Sequence, residues 1–116
     1  MEERRRFNRV TCEEKVLVCF DGGIIKANLH DISLKGALVE FENDVPFQLG
    51  DILNISFTLN NSDIVIQFRS KLMHRSNNMI GVKIIQIDLD SMIHLRSVIE
   101  ARSADPEQVA KEFEYF

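Results

Sequence analysis

Only two cysteines, two prolines and five glycines occur in the 116 residues. No apolar run approaches the roughly 20 residues of a membrane span, so no membrane insertion is expected. Cys12 and Cys19 lie seven apart with no His or Cys at a zinc-ligand interval, and neither a disulfide framework nor a metal knuckle is indicated. Reduced thiols are expected. The N-terminus Met1-Glu2-Glu3-Arg4-Arg5-Arg6 lacks the apolar stretch of a signal peptide, and the expected localisation is cytoplasmic. With so little Pro and Gly, 45% apolar and 28% charged residues, the composition is globular rather than disordered, collagenous or coiled-coil. This length suits a single domain, residues 1–116, burying roughly two-thirds of its extended surface without covalent staples.

Positive charge is also scarce outside one segment. The net charge is −4, yet the first nine residues carry Arg4, Arg5, Arg6 and Arg9 against two Glu, while the remaining 107 hold 10 basic against 16 acidic residues, a net −6. Such a body repels the phosphate track of a nucleic-acid polymer, which argues against that partner. The cluster suits a small anion, or is a solvated basic tail.

Lys15 to Asp21 (KVLVCFD) is rich in β-branched and aromatic residues, and Gly22-Gly23 reads as a two-residue turn before Ile24-Ile25. Ala27, Leu29, Asp31 and Ser33 then alternate with Asn28, His30 and Ile32 until Lys35-Gly36 turns the chain into Ala37–Phe41. Further strands are expected over residues 52–59, 64–74 and 79–85. Six short strands point to an antiparallel barrel or sandwich. After Asp88 the period becomes helical, with Met92, Leu95 and Ile99, flanked by Ile93 and Val98, on one side. Asp105-Pro106-Glu107-Gln108 opens a second helix, to about Phe113. Val109, Phe113, Tyr115 and Phe116 pack either on the barrel or on a second copy, so a homodimer is an open expectation.

Catalytic signatures are missing too. There is no GxSxG elbow, Walker loop, GxGxxG turn or HExxH helix. His30, His74 and His94 pair with no Cys or carboxylate at a helical metal-ligand spacing. No enzyme, metal or cofactor is expected. Asp88 and Asp90 sit where a strand yields to a helix and read as helix-end acids rather than an acid pair.

Two patterns remain: Arg5-Arg6-Phe7-Asn8-Arg9, an RxxxR, and Asp31-Ile32-Ser33-Leu34-Lys35-Gly36, a DxSxxG. A guanidinium binds a phosphate bidentately, grips the O6 and N7 acceptors of guanine, and stacks on a purine. Asp31 offers an acceptor for guanine N–H groups, Ser33 a hydroxyl, and Gly36 a position where the backbone bends sharply or approaches a ligand. On an alternating strand Asp31 and Ser33 share a face. The competing reading of the second pattern is a plain Ser/Thr or Asx turn.

Together, an N-terminal RRxxxR, a DxSxxG between two strands, a string of short strands and a terminal helix resemble the PilZ domain, a bacterial receptor for cyclic di-GMP. The likeness runs from Arg4 to about Ile99 and includes Ile80-Gly81-Val82-Lys83-Ile84 as the glycine-bearing last strand. It implies a mainly β fold, a six-stranded antiparallel split barrel over residues 15–87 with one or two C-terminal helices over 90–116, and a flexible Arg-rich arm over 1–10. It also implies a ligand site. Arg5 and Arg9 take the places of the motif arginines, and Asp31, Ser33 and Gly36 those of the DxSxxG residues. An arginine at the place of Arg4 accompanies binding of two stacked ligand molecules.

The expected function is therefore a cyclic di-GMP receptor or adaptor, whose arm orders over the barrel on binding and signals to an unidentified protein partner. The alternative is a ligand-independent PilZ-like adaptor in motility or pilus assembly.

Overall fold

The computed structural model describes residues 9–103 and 105–113. β-branched runs and tight polar turns build its first half. β1 (Val10–Phe20) and β2 (Gly23–Ile32) form a hairpin in which Phe20 pairs with Gly23. The turn is thus Asp21-Gly22, not the expected Gly22-Gly23. Both turn residues have positive φ, 51° and 84°, matching the right-handed twist of the flanking strands.

β3 (Gly36–Glu40), β4 (Ile52–Thr58), β5 (Val65–Ser76) and β6 (Met79–Ile87) complete a closed barrel in the order β1-β2-β3-β6-β5-β4, every neighbouring pair antiparallel. The barrel starts at Val10 rather than at 15, because Val10, Cys12 and Glu14 continue the inward alternation of Val16 and Val18. Its core includes the fully buried Phe47, Leu53, Ile55, Ile66 and Leu72, each side chain stabilising by about 1.5–3 kcal/mol relative to exposure. The rings of Phe20 and Phe41 meet Phe47 edge-on, at 5.1 and 5.6 Å.

Closure is uneven. β1 meets β4 only through Leu17–Ser56, Val18–Ile55 and Cys19–Asn54, whereas the β1–β2 ladder runs the length of both strands. An open groove of about 680 Å³, lined by Lys15, Lys26, Asn28 and Thr58 among others, runs beside this join.

α1 (Leu89–Arg102) packs against β5 and β1. It buries Ser91, Leu95, Val98 and Ile99; Ile93, expected beside that row, is 46% exposed. Two residues from Leu95 along a helix is a rotation of about 200°, onto the opposite face. α2 (Pro106–Phe113) buries Val109. Both starts are capped as the sequence indicated. Asp105 Oδ1 accepts from Gln108 N at 3.2 Å, and Asp88 Oδ2 accepts from Ser91 N at 3.0 Å. Phe113 as a packing side chain, Tyr115 and Phe116 lie outside the described residues.

The bonds from Ser91 hold the Asp88 carboxyl below its usual range. A depressed carboxylate stabilises above its unfolded value, about 3.9, and its contribution fades as pH falls through the lower folded value. Asp88→Asn is therefore expected to melt below wild type at pH 6, and the gap to shrink at pH 3. A thermal melt series checks this; a gap that widens on acidification contradicts it.

One charge lies inside the barrel wall. Glu14 is 5% exposed, with Arg102 Nη2 at 3.6 Å and Asn60 Nδ2 at 3.4 Å from Oε2. Arg102 Nη1 also donates to the Thr11 carbonyl at 3.3 Å, fastening the end of α1 to the start of β1. Beside them, burial pushes the Cys12 thiol up, against the lowering effect of Arg102. Because the thiolate is the reactive form, alkylation of the native protein should label the half-buried Cys19 first and Cys12 only on unfolding. Mass-mapped labelling in the opposite order would refute this.

Candidate ligand-binding site

The ladder is broken twice around His30. Between the pairs Thr11–Asp31 and Glu14–Leu29, β1 carries one residue more than β2. Between Leu29–Val39 and Asp31–Leu38, β2 carries one more than β3. Such bulges re-aim side chains. His30 turns outward to Glu40, Nε2 to Oε1 2.8 Å, and Asp31 faces the N-terminal end of β1. There Arg9 Nη1 donates to Asp31 Oδ1 at 2.8 Å, with the side chains 27% and 23% exposed.

The two motifs thus meet, 22 residues apart in sequence, at one corner of the barrel. A half-buried guanidinium and carboxylate side by side offer donors for a phosphate or a guanine edge and acceptors for guanine N–H groups.

Ser33 does not share the face of Asp31 as alternation predicts. β2 ends at Ile32, and Ser33 is 2% exposed. Its Oγ accepts from Lys35 N and Gly36 N, both at 3.1 Å, while its own N–H donates to the Gly36 carbonyl at 2.8 Å. The hydroxyl closes the turn of residues 33–36, the plainer of the two sequence readings. Gly36 is likewise a strand residue and not a bend. It opens β3 opposite Lys83, and a Cβ there would stand under 3.0 Å from the Val82 carbonyl oxygen. The glycine lets β3 approach β6, and Ile84 N donates to the Lys35 carbonyl at 2.7 Å to pin the turn. Arg4 and Arg5 lie outside the described residues.

Residues opposed across an antiparallel ladder present side chains on one face. One outward row runs Thr11, Asp31, Leu38, Gly81, His74. The row beside it, nearer the 33–36 turn, runs Gly36, Lys83, Lys71, Ile52. His74 covers Gly81, where a Cβ would collide with its imidazole. The sequence reading singled out neither lysine nor His74: a strand pattern records faces, whereas neighbours across strands come from register. The 680 Å³ groove shares none of the motif residues; the convergent polar groups lie on the barrel's outer face, and chemistry outweighs concavity here.

A family model described as the PilZ domain matches residues 3–101. The chain belongs to the PilZ domain family. PilZ domains are binding and adaptor domains rather than enzymes. Among solved structures, the barrel is similar to the PilZ domain with cyclic di-GMP of YcgR from Escherichia coli, at 17% identity and a TM-score of 0.74, covering 94% of this chain and 98% of that one. It is also similar to the inhibitor of motility MotI/DgrA of Bacillus subtilis, at 16% identity and 0.74, covering 87% of this chain and 52% of that one. PlzA of Borreliella burgdorferi in complex with cyclic di-GMP matches at 20% identity and 0.63, with 80% and 40% covered. The chain thus spans about half the length of the Bacillus protein. Among the described residues, no helix of this PilZ domain is long and apolar enough to cross a membrane.

Proposed function

We propose that this PilZ domain is a cyclic di-GMP receptor that acts as an adaptor toward a protein partner. The Arg9–Asp31 contact carries the reading, because it unites RxxxR and DxSxxG at one accessible corner. Arg9 addresses phosphate or the guanine Hoogsteen edge, and Asp31 accepts from guanine N–H groups. Arg5 adds the second motif guanidinium to guanine and phosphate, and Arg4 favours a second, stacked molecule. Ser33 and Gly36 serve the site by fixing the turn beside Asp31. Ligand binding draws the arm onto the barrel, and the changed surface is what the partner reads.

Calorimetric titration of the whole chain with cyclic di-GMP tests this. The expected result is a saturable heat with one or two ligands per chain. Absence of binding at high micromolar ligand removes the receptor reading and leaves the ligand-independent adaptor in its place.

A further inference from the structure

The like-charged pair at the heart of the second outward row is unexplained by folding. Lys71 and Lys83 stand directly opposite each other across β5–β6, both exposed, and like charges so placed destabilise a sheet. Among the described residues Arg9, Arg96 and Arg102 each meet a carboxylate and His30 faces Glu40, whereas no carboxylate lies within 4.0 Å of either lysine. Next to Lys83 in the row stands Gly36, which contributes no side chain and leaves a smooth path toward the Arg9–Asp31 corner. Gly36 and Lys71 are two strand spacings of about 4.8 Å apart. The strand of Asp31 and that of Lys83 are likewise two spacings apart, with β3 between them, so the corner and the lysines lie on one continuous face. The arrangement also meets a charge requirement: the ligand brings two negative charges, and Arg9 already shares its own with Asp31.

We propose that Lys71 and Lys83 form a phosphate subsite, which holds the phosphodiester of the bound cyclic dinucleotide that the arginines leave free. The assignment rests on the receptor reading above and adds two residues that neither motif contains. The anion relieves the repulsion between the ammonium groups, so part of the binding free energy comes from a strain that the unliganded sheet carries.

The test is calorimetric titration with cyclic di-GMP of wild type, Lys71→Gln, Lys83→Gln, the double variant and Arg9→Ala, at low and high salt, beside thermal melts without ligand. Each single lysine variant is expected to bind about five- to tenfold more weakly and the double about thirtyfold or more. Added salt should narrow the gap to wild type by screening exposed charges. Without ligand, the variants should melt at or above wild type. If wild type binds and Arg9→Ala weakens it while the double variant matches wild type, the subsite is refuted and the receptor reading stands. If wild type does not bind, both fall. A double variant that loses affinity and also melts several degrees lower assigns the lysines to the fold, and refutes the subsite as well.

Discussion

Gly36→Ala is expected to lower the melting temperature by about 10–20 °C, from a loss of roughly 2–4 kcal/mol at about 5 °C per kcal/mol for a domain slightly over 100 residues. The added methyl would press on the Val82 carbonyl, a backbone atom with no rotamer to escape into. β3 and β6 would have to part, stretching the ladder from Gly36–Lys83 to Glu40–Met79 and the bond between Ile84 and the Lys35 carbonyl. The same movement pulls Gly36 N away from the Ser33 hydroxyl, unseating the turn next to Asp31. Gly23→Ala is the control, because a Cβ there meets only the Phe20 carbonyl at an ordinary 3.6 Å; its melt should stay near wild type. A Gly36→Ala protein melting within about 2 °C of wild type would show that the strands can yield, and the account of this glycine would be wrong.

The second large effect is on ligand affinity. Arg9→Ala is expected to weaken cyclic di-GMP binding at least tenfold, the scale of losing a bidentate guanidinium contact of about 1–3 kcal/mol. Its effect on stability should be small, since a partly exposed ion pair contributes roughly 0–1 kcal/mol. Asp31→Ala should also weaken binding, because the guanine loses its acceptor even though Arg9 is released from its partner. The two roles separate in a double-mutant cycle. If Asp31 only positions Arg9, Asp31→Ala adds nothing to Arg9→Ala; if each touches the ligand, the double variant is weaker than either. An Arg9→Ala protein that binds as wild type does would remove the corner from the site.

Much of this was legible in the chain. Apart from β1, which begins five residues early at Val10, the strands lie close to where alternation of apolar and polar residues puts them, and the helix starts at Asp88 and Asp105 follow from their short acceptor side chains. Legibility stopped where one residue was inserted or one turn rotated. Asp31 and Ser33 should share a face by period two, yet the bulges at His30 and the end of β2 at Ile32 leave Asp31 outward and Ser33 buried. Ile93 looked like a neighbour of Met92 and Leu95 until the helix phase placed it opposite. The packing role of Gly36 was not legible either: close approach by another strand cannot be told from a bend without knowing that β3 lies beside β6. The same ignorance of strand order hid Lys71 and Lys83, 12 residues apart in sequence and face to face in space.

The short join between β1 and β4 bears on how the molecule breathes. Three rungs hold that stave, so fluctuations that open the cylinder concentrate there, where the fewest bonds must break. In the cyclic order of strands the β3–β6 ladder is diametrically opposite. The face carrying Asp31, Gly36 and Lys83 therefore stays stiff while the far side loosens, and the corner proposed to take the ligand keeps its shape whatever the barrel does behind it.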